Sequence, residues 1–167
     1  MNTWSRKIKL VSSAAGLLLA GGLAFAALPK VGEAFPDITH YGLEGTLPDL
    51  HGKVVIVDFF ASWCGPCKES FPAMEEIYQK YGPKGLVIVA VNVDKNKSDM
   101  DEFLKKHPVT FVIVRDASAK LVSDVKIPTM PSSFLIGPDG KVVAFHRGFK
   151  GDETKKEYAS EIESLLK

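Results

Sequence analysis

Residues 53–68 read KVVIVDFFASWCGPCK. The first half is a β-branched and aromatic run, the pattern of a strand buried on both faces. The second half places Cys64 and Cys67 three positions apart, where a helical pattern begins. Phe71, Met74, Ile77, Tyr78 and Tyr81 then recur near one helical face over residues 65–81, and Gly82-Pro83 stops the helix. A strand running straight into a cysteine pair at a helix start organises the rest of the reading.

Outward from that unit, strands and helices alternate. Residues 85–93 (GLVIVAVNV) predict a second buried strand. Ser98 with Asp101 marks a helix start, Phe103 and Leu104 give its apolar side, and His107-Pro108 ends it. Residues 109–114 (VTFVIV) predict a third strand, with a short helical stretch near 117–124 and Pro128 ending it. Residues 132–136 and 141–146 flank Pro138-Asp139-Gly140 as a hairpin. Thr154 with Glu157 opens a last amphipathic helix carrying Tyr158, Ile162, Leu165 and Leu166. Ahead of the first strand, residues 29–48 are rich in Gly, Pro and polar residues and suit an extended arm with a hairpin. The order implies an α/β fold with a mixed central sheet between helical layers.

The 167 residues fit one domain with a real hydrophobic core. There is no collagen, coiled-coil or solenoid period. With 21 basic against 20 acidic residues there is no basic footprint for nucleic acid. The charge is uneven along the chain. Arg6, Lys7 and Lys9 precede an uncharged stretch at residues 10–28, and the first acid is Glu33. A basic start, the run Leu17-Leu18-Leu19 and Ala24-Phe25-Ala26 form the pattern of a secretory signal with a small-residue cleavage site. The same stretch approaches the ~20 residues of a membrane span, so a retained anchor is the alternative. Residues 1–26 are therefore read as signal peptide or anchor and residues 27–167 as the folded domain, exported in either case. Loss of the leader takes the formal charge from +1 to −2.

A helix N-terminus presents unpaired N–H groups and partial positive charge, which favour thiolate at the first cysteine of the pair. Cys64 is expected at the exposed mouth of the helix, with Cys67 nearly a turn inside and able to attack a mixed disulfide formed at Cys64. Pro66 costs little at a helix start. A zinc half-site lacks its other half, because His40, His51, His107 and His146 are scattered without ligand spacing. A structural disulfide leaves the strand–helix placement unexplained. Thiol–disulfide exchange explains it, with no bound cofactor and no metal.

Residues 57–68 resemble the active-site strand and helix of thioredoxin. Pro72, eight residues after Cys64, matches the proline within that family's active-site helix. Met130-Pro131 matches the loop whose cis-proline faces the cysteines, and Gly148 matches a glycine after the last strand. The leader, the arm before Lys53 and an extra βα-type insertion near 95–120 narrow the resemblance to the exported TlpA/ResA-like branch, which includes the cytochrome c maturation thioredoxins.

The resemblance implies roles. Cys64 is the nucleophile and Cys67 the resolving thiol, leaving a Cys64–Cys67 disulfide. Asp58 is a buried proton acceptor for Cys67. Trp63, Gly65, Pro66, Met130 and a cis Pro131 meet the substrate, with the Met130 backbone free for strand addition. Two departures stand out. Where thioredoxin has a lysine near the buried acid, this chain reads Val89-Ala90-Val91. Many branch members place glutamate three residues after the second cysteine and asparagine at the acid, whereas this chain has Ser70 and Asp58. The expected enzyme is a periplasmic or inner-membrane-face protein-disulfide reductase. Its expected clients are protein disulfides such as those of an apocytochrome c or a copper-site protein. A membrane thiol reductant of DsbD or CcdA type recharges it. The segment at 95–120 is too short for the helical domain of DsbA-type oxidants, so a disulfide-forming oxidant is the weaker alternative, together with a non-catalytic client-binding module. A peroxiredoxin-type peroxidase would need a third cysteine. Membrane contact is confined to residues 10–28, and no exposed heptad suggests anything but a monomer.

Overall fold

The computed structural model describes residues 27–166, so the leader read at residues 1–26 lies outside the described residues. The elements run β1 (Val54–Phe60), α1 (Gly65–Tyr81), β2 (Leu86–Asn92), α2 (Lys97–Lys106), β3 (Val112–Arg115), α3 (Lys120–Val125), β4 (Ser132–Ile136), β5 (Val142–Arg147) and α4 (Asp152–Leu165). They form one sheet in the order β3-β2-β1-β4-β5. β1, β2 and β3 are mutually parallel, and β4 runs antiparallel to both of its neighbours, β1 and β5. The insertion near 95–120 is visible as α2 and β3, which add a parallel strand at the sheet edge. Among the described residues, no helix is long and apolar enough to cross a membrane.

Strand alternation divides the core. Val54, Ile56 and Phe60 of β1 face α1 and α4, where they meet Phe71, Met74, Tyr158 and Ile162. Val55, Val57 and Phe59 face the opposite side with Val89, Val91 and Phe134. On the first side Phe71 lies at the centre of an aromatic cluster, its ring 4.6 Å from Phe60, 4.8 Å from Phe103 and 5.7 Å from Phe111.

The arm before β1 does not form the expected hairpin. It makes a short 3₁₀ turn (Ile38–Tyr41), capped by Asp37. Two isolated bridges then tie it to opposite edges of the sheet, Ala34 to Lys141 beside β5 and Glu44 to Arg115 at the end of β3. Phe35, Tyr41, Leu43 and Leu47 lie over the second core face. The arm thus gains more by covering an apolar sheet face and sheltering its edges than by pairing with itself. Two helices begin earlier than their sequence signals. α2 starts at Lys97, and α4 starts at Asp152 with Thr154 inside it, its hydroxyl accepting from the Lys150 N–H at 3.0 Å.

Candidate active site

β1 and β2 end side by side, and their C-terminal ends carry polar residues that hold the loop before the cysteines. The Ser62 N–H donates to Asp94 Oδ2 at 2.9 Å, and the Ser62 hydroxyl donates to Asp94 Oδ1 at 3.0 Å. Asn92 donates its amide to Asp94 Oδ2 at 2.8 Å and accepts from the Asp94 N–H at 3.0 Å. Behind them Arg115 donates to the carbonyls of Asp94 and Lys95 and pairs with Glu44 at 2.8 Å. Asn92 and Asp94 are buried, and the Asp94 carboxylate ties the turn that leads to Cys64 to the end of β2. Sequence reasoning misses this clamp. Its signal is a pair of polar residues at the end of an apolar strand run, beside the end of the strand that precedes the cysteine motif.

Cys64 caps α1. Its backbone is extended, and its sulfur accepts from the Cys67 N–H at 3.2 Å. Pro66 lies in the first turn, where no N–H is needed, and Pro72 inside the helix has no N–H to give the Lys68 carbonyl. The two cysteines are joined in a disulfide. Cys67 is fully enclosed, and Cys64 keeps only 4% of its surface, so the expected exposed mouth is a wall of a groove instead. Ser70, which stands where many branch members have glutamate, is buried and donates its hydroxyl to the Cys67 carbonyl at 3.1 Å.

The facing wall is the loop between α3 and β4. The Met130–Pro131 peptide bond is cis, and the Pro131 carbonyl accepts from the N–H of Gly148, whose φ of +76° suits glycine. Trp63, Cys64, Gly65 and Pro66 on one side and Ile127, Pro128, Thr129 and Met130 on the other enclose a groove of about 560 Å³. Trp63 is 69% exposed at its rim. Pro128 lines this groove three residues beyond the end of α3, and is more than the helix stop its sequence context suggests. Among the described residues, the Met130 backbone forms no internal hydrogen bond.

Asp58 sits mid-strand, 2% exposed, on the α1/α4 face where Cys67 is also buried. Its cross-strand neighbours are Ala90 on β2 and Ser133 on β4. The Ser133 hydroxyl donates to Asp58 Oδ1 at 2.8 Å, while Oδ2 is buried and has no hydrogen-bond partner among the described residues. Burial pushes the carboxyl up from 3.8 to about 7, partly opposed by the Ser133 hydrogen bond. In place of a cation, Asp58 has hydroxyls: Ser133 Oγ lies 2.5 Å from the Tyr158 phenol.

The redoxin family matches residues 30–162, nearly all of the described domain. This chain belongs to the redoxin family. The redoxin is 34% identical over 163 residues to the thiol-disulfide oxidoreductase ResA of Bacillus anthracis, covering 95% of this chain and 90% of that one. It is also 34% identical to ResA of Bacillus subtilis (strain 168) over 144 residues, covering 83% and 80%. A Chlorobium tepidum structure designated a thiol:disulfide interchange protein DsbE superposes with a TM-score of 0.76 at 37% identity, covering 83% of this chain and 99% of that one. With the cysteine pair joined at the head of α1, the redoxin is a thiol–disulfide oxidoreductase of the ResA/DsbE type.

Proposed function

We propose that this redoxin is an exported protein-disulfide reductase working through a Cys64/Cys67 dithiol–disulfide cycle. The observation that carries the reading is the placement of the Cys64 sulfur, which caps α1 and forms one wall of a groove whose other wall offers the unpaired backbone of Met130. An extended client segment pairs with Met130 as an added strand and lays apolar side chains on Trp63, Pro128 and Ile127. The helix N-terminus favours the Cys64 thiolate, which attacks the client disulfide and displaces one client thiolate. Cys67, giving its proton to Asp58, attacks the Cys64 sulfur. The Cys64–client bond breaks, the second client thiol leaves, and the pair is left oxidised by two electrons. Only the Cys64 edge reaches the groove, so a client meets the nucleophile before the resolving thiol.

The leader at residues 1–26 supports export to the periplasm or to the periplasmic face of the inner membrane. An oxidising compartment requires recharging, and a membrane thiol reductant of DsbD or CcdA type supplies the electrons. The proposed client is an apocytochrome c or a copper-site protein. Cys67→Ser should accumulate mixed disulfides through Cys64, and Cys64→Ala should abolish insulin disulfide reduction. A Cys64–Cys67 potential near the about −270 mV of thioredoxin supports the reducing direction, and one near the about −120 mV of DsbA overturns it.

A further inference from the structure

Three strands place a row of polar side chains across the α1/α4 face of the sheet. Asp58 on β1 is the register partner of Ser133 on β4, and Ser133 is the partner of His146 on β5. From α4, Tyr158 reaches down into this row. A hydroxyl has one hydrogen, and Ser133 spends its own on Asp58 Oδ1 at 2.8 Å. The 2.5 Å contact between Ser133 and Tyr158 therefore has the phenol as donor, and the chain runs Tyr158 to Ser133 to Asp58 while the carboxyl is ionised.

The phenol cannot easily swing away. Tyr158 is 3% exposed, and its ring lies 4.4 Å from that of His146. His146 is in turn held by Glu161 at 2.7 Å from Nε2 and Glu157 at 3.5 Å from Nδ1. Of the other elements on this face, β2 sets Ala90 beside Asp58, and α1 contributes the enclosed Cys67 to the same core. Among the described residues, the one hydrogen bond to the carboxylate is the Ser133 donation, and it falls on a single oxygen. Oδ2 is left buried and unpaired.

We propose that Ser133 and Tyr158 are positioning residues that commit Asp58 Oδ1 to a hydroxyl chain and so reserve Oδ2 for proton exchange with Cys67. The proposal rests on the reading of Asp58 as the base for Cys67. In the resolving step the S–H bond of Cys67 breaks and an O–H bond forms at Asp58 Oδ2. The thiolate pair of electrons then forms the Cys64–Cys67 bond as the Cys64–client bond breaks, and the departing client sulfur takes a proton from solvent. A carboxyl already bonded at Oδ1 cannot rotate to offer that oxygen without breaking the chain, so the geometry of the acceptor is settled before the thiol loses its proton.

The test follows two readouts in the full chain: the Asp58 titration by carboxyl ¹³C NMR, and the pH dependence of resolution of a chromogenic mixed disulfide on Cys64. Ser133→Ala removes the donor to a charged group and should raise both midpoints by about one pH unit, and Tyr158→Phe by about half a unit. Ser133→Thr keeps a hydroxyl on a strand that suits β-branching, and should return both midpoints to those of the parent. If the alanine variant fails to fold, the shift in Tyr158→Phe keeps the test decisive. If Asp58→Asn leaves the pH dependence of resolution unchanged, the base role of Asp58 fails. If Asp58→Asn abolishes that dependence while Tyr158→Phe and Ser133→Ala leave both midpoints in place, the positioning proposal fails and the base role stands.

Discussion

Asp58→Asn offers a direct measure of what burial does to this site. Burial raises the Asp58 carboxyl from 3.8 to about 7 in the folded chain. The folded state therefore holds its proton more tightly than the unfolded state. Stability falls as pH rises from about 4 to about 7 and is level above that. The full span is about 4 kcal/mol, because each pH unit between the unfolded and folded midpoints is worth about 1.36 kcal/mol. Between pH 5 and pH 8 this one group should account for about 2–3 kcal/mol of lost stability. Asparagine keeps the shape, and its carbonyl oxygen can still accept from Ser133, but it never ionises. Its amide sits where Oδ2 finds no partner, a pH-independent cost of about 1–3 kcal/mol. The assay is urea unfolding of the oxidised protein at the two pH values. The parent should lose about 2–3 kcal/mol more than the variant on going from pH 5 to pH 8. Equal losses in the two proteins would mean that Asp58 ionises near its ordinary pKa despite its enclosure, and the account of its burial would fall.

Phe71→Ala should cost about 3–5 kcal/mol in the same urea assay, because the ring fills the space among Phe60, Phe103 and Phe111 and its removal leaves a cavity. Asp94→Ala strips the Ser62 N–H and the Asn92 amide of their acceptor; a loss of about 2 kcal/mol or more, with slower insulin reduction, is expected from disordering the approach to Cys64. Trp63→Ala removes an exposed ring from the groove rim, so KM for a protein disulfide should rise while turnover of a small-molecule disulfide and the urea midpoint stay unchanged. An equal loss with both substrates would place Trp63 in the chemistry and not in client contact.

The elements around residues 53–81 are legible because each rests on local pattern. A β-branched run makes a strand, proline in the first helical turn is harmless, and a cysteine three residues before another at that point becomes the cap of α1. The arm defeats the same reading, because its Gly and Pro content signals turns but says nothing of partners. Ala34 and Glu44 bridge to strands at opposite edges of the sheet, far along the chain. A helix start is usually exposed, which is why the pattern places Cys64 in the open; the loop carrying Met130 and Pro131 folds over it. The clamp of Asp94 and Ser62 joins residues 32 apart, and the polar pair that ends β2 does not by itself name its partner.

The cysteine chemistry, the order of strands and helices, and an acid in the middle of an apolar strand can all be read from the chain alone, since each is carried by residues close together in it. What surrounds that acid cannot. Strand register sets Ala90 and Ser133 beside Asp58, and α4 brings Tyr158 over them from a hundred residues away in the chain. A buried carboxyl takes its pKa and its reactive oxygen from the hydrogen bonds and desolvation it meets, and those neighbours are assembled by the folded sheet.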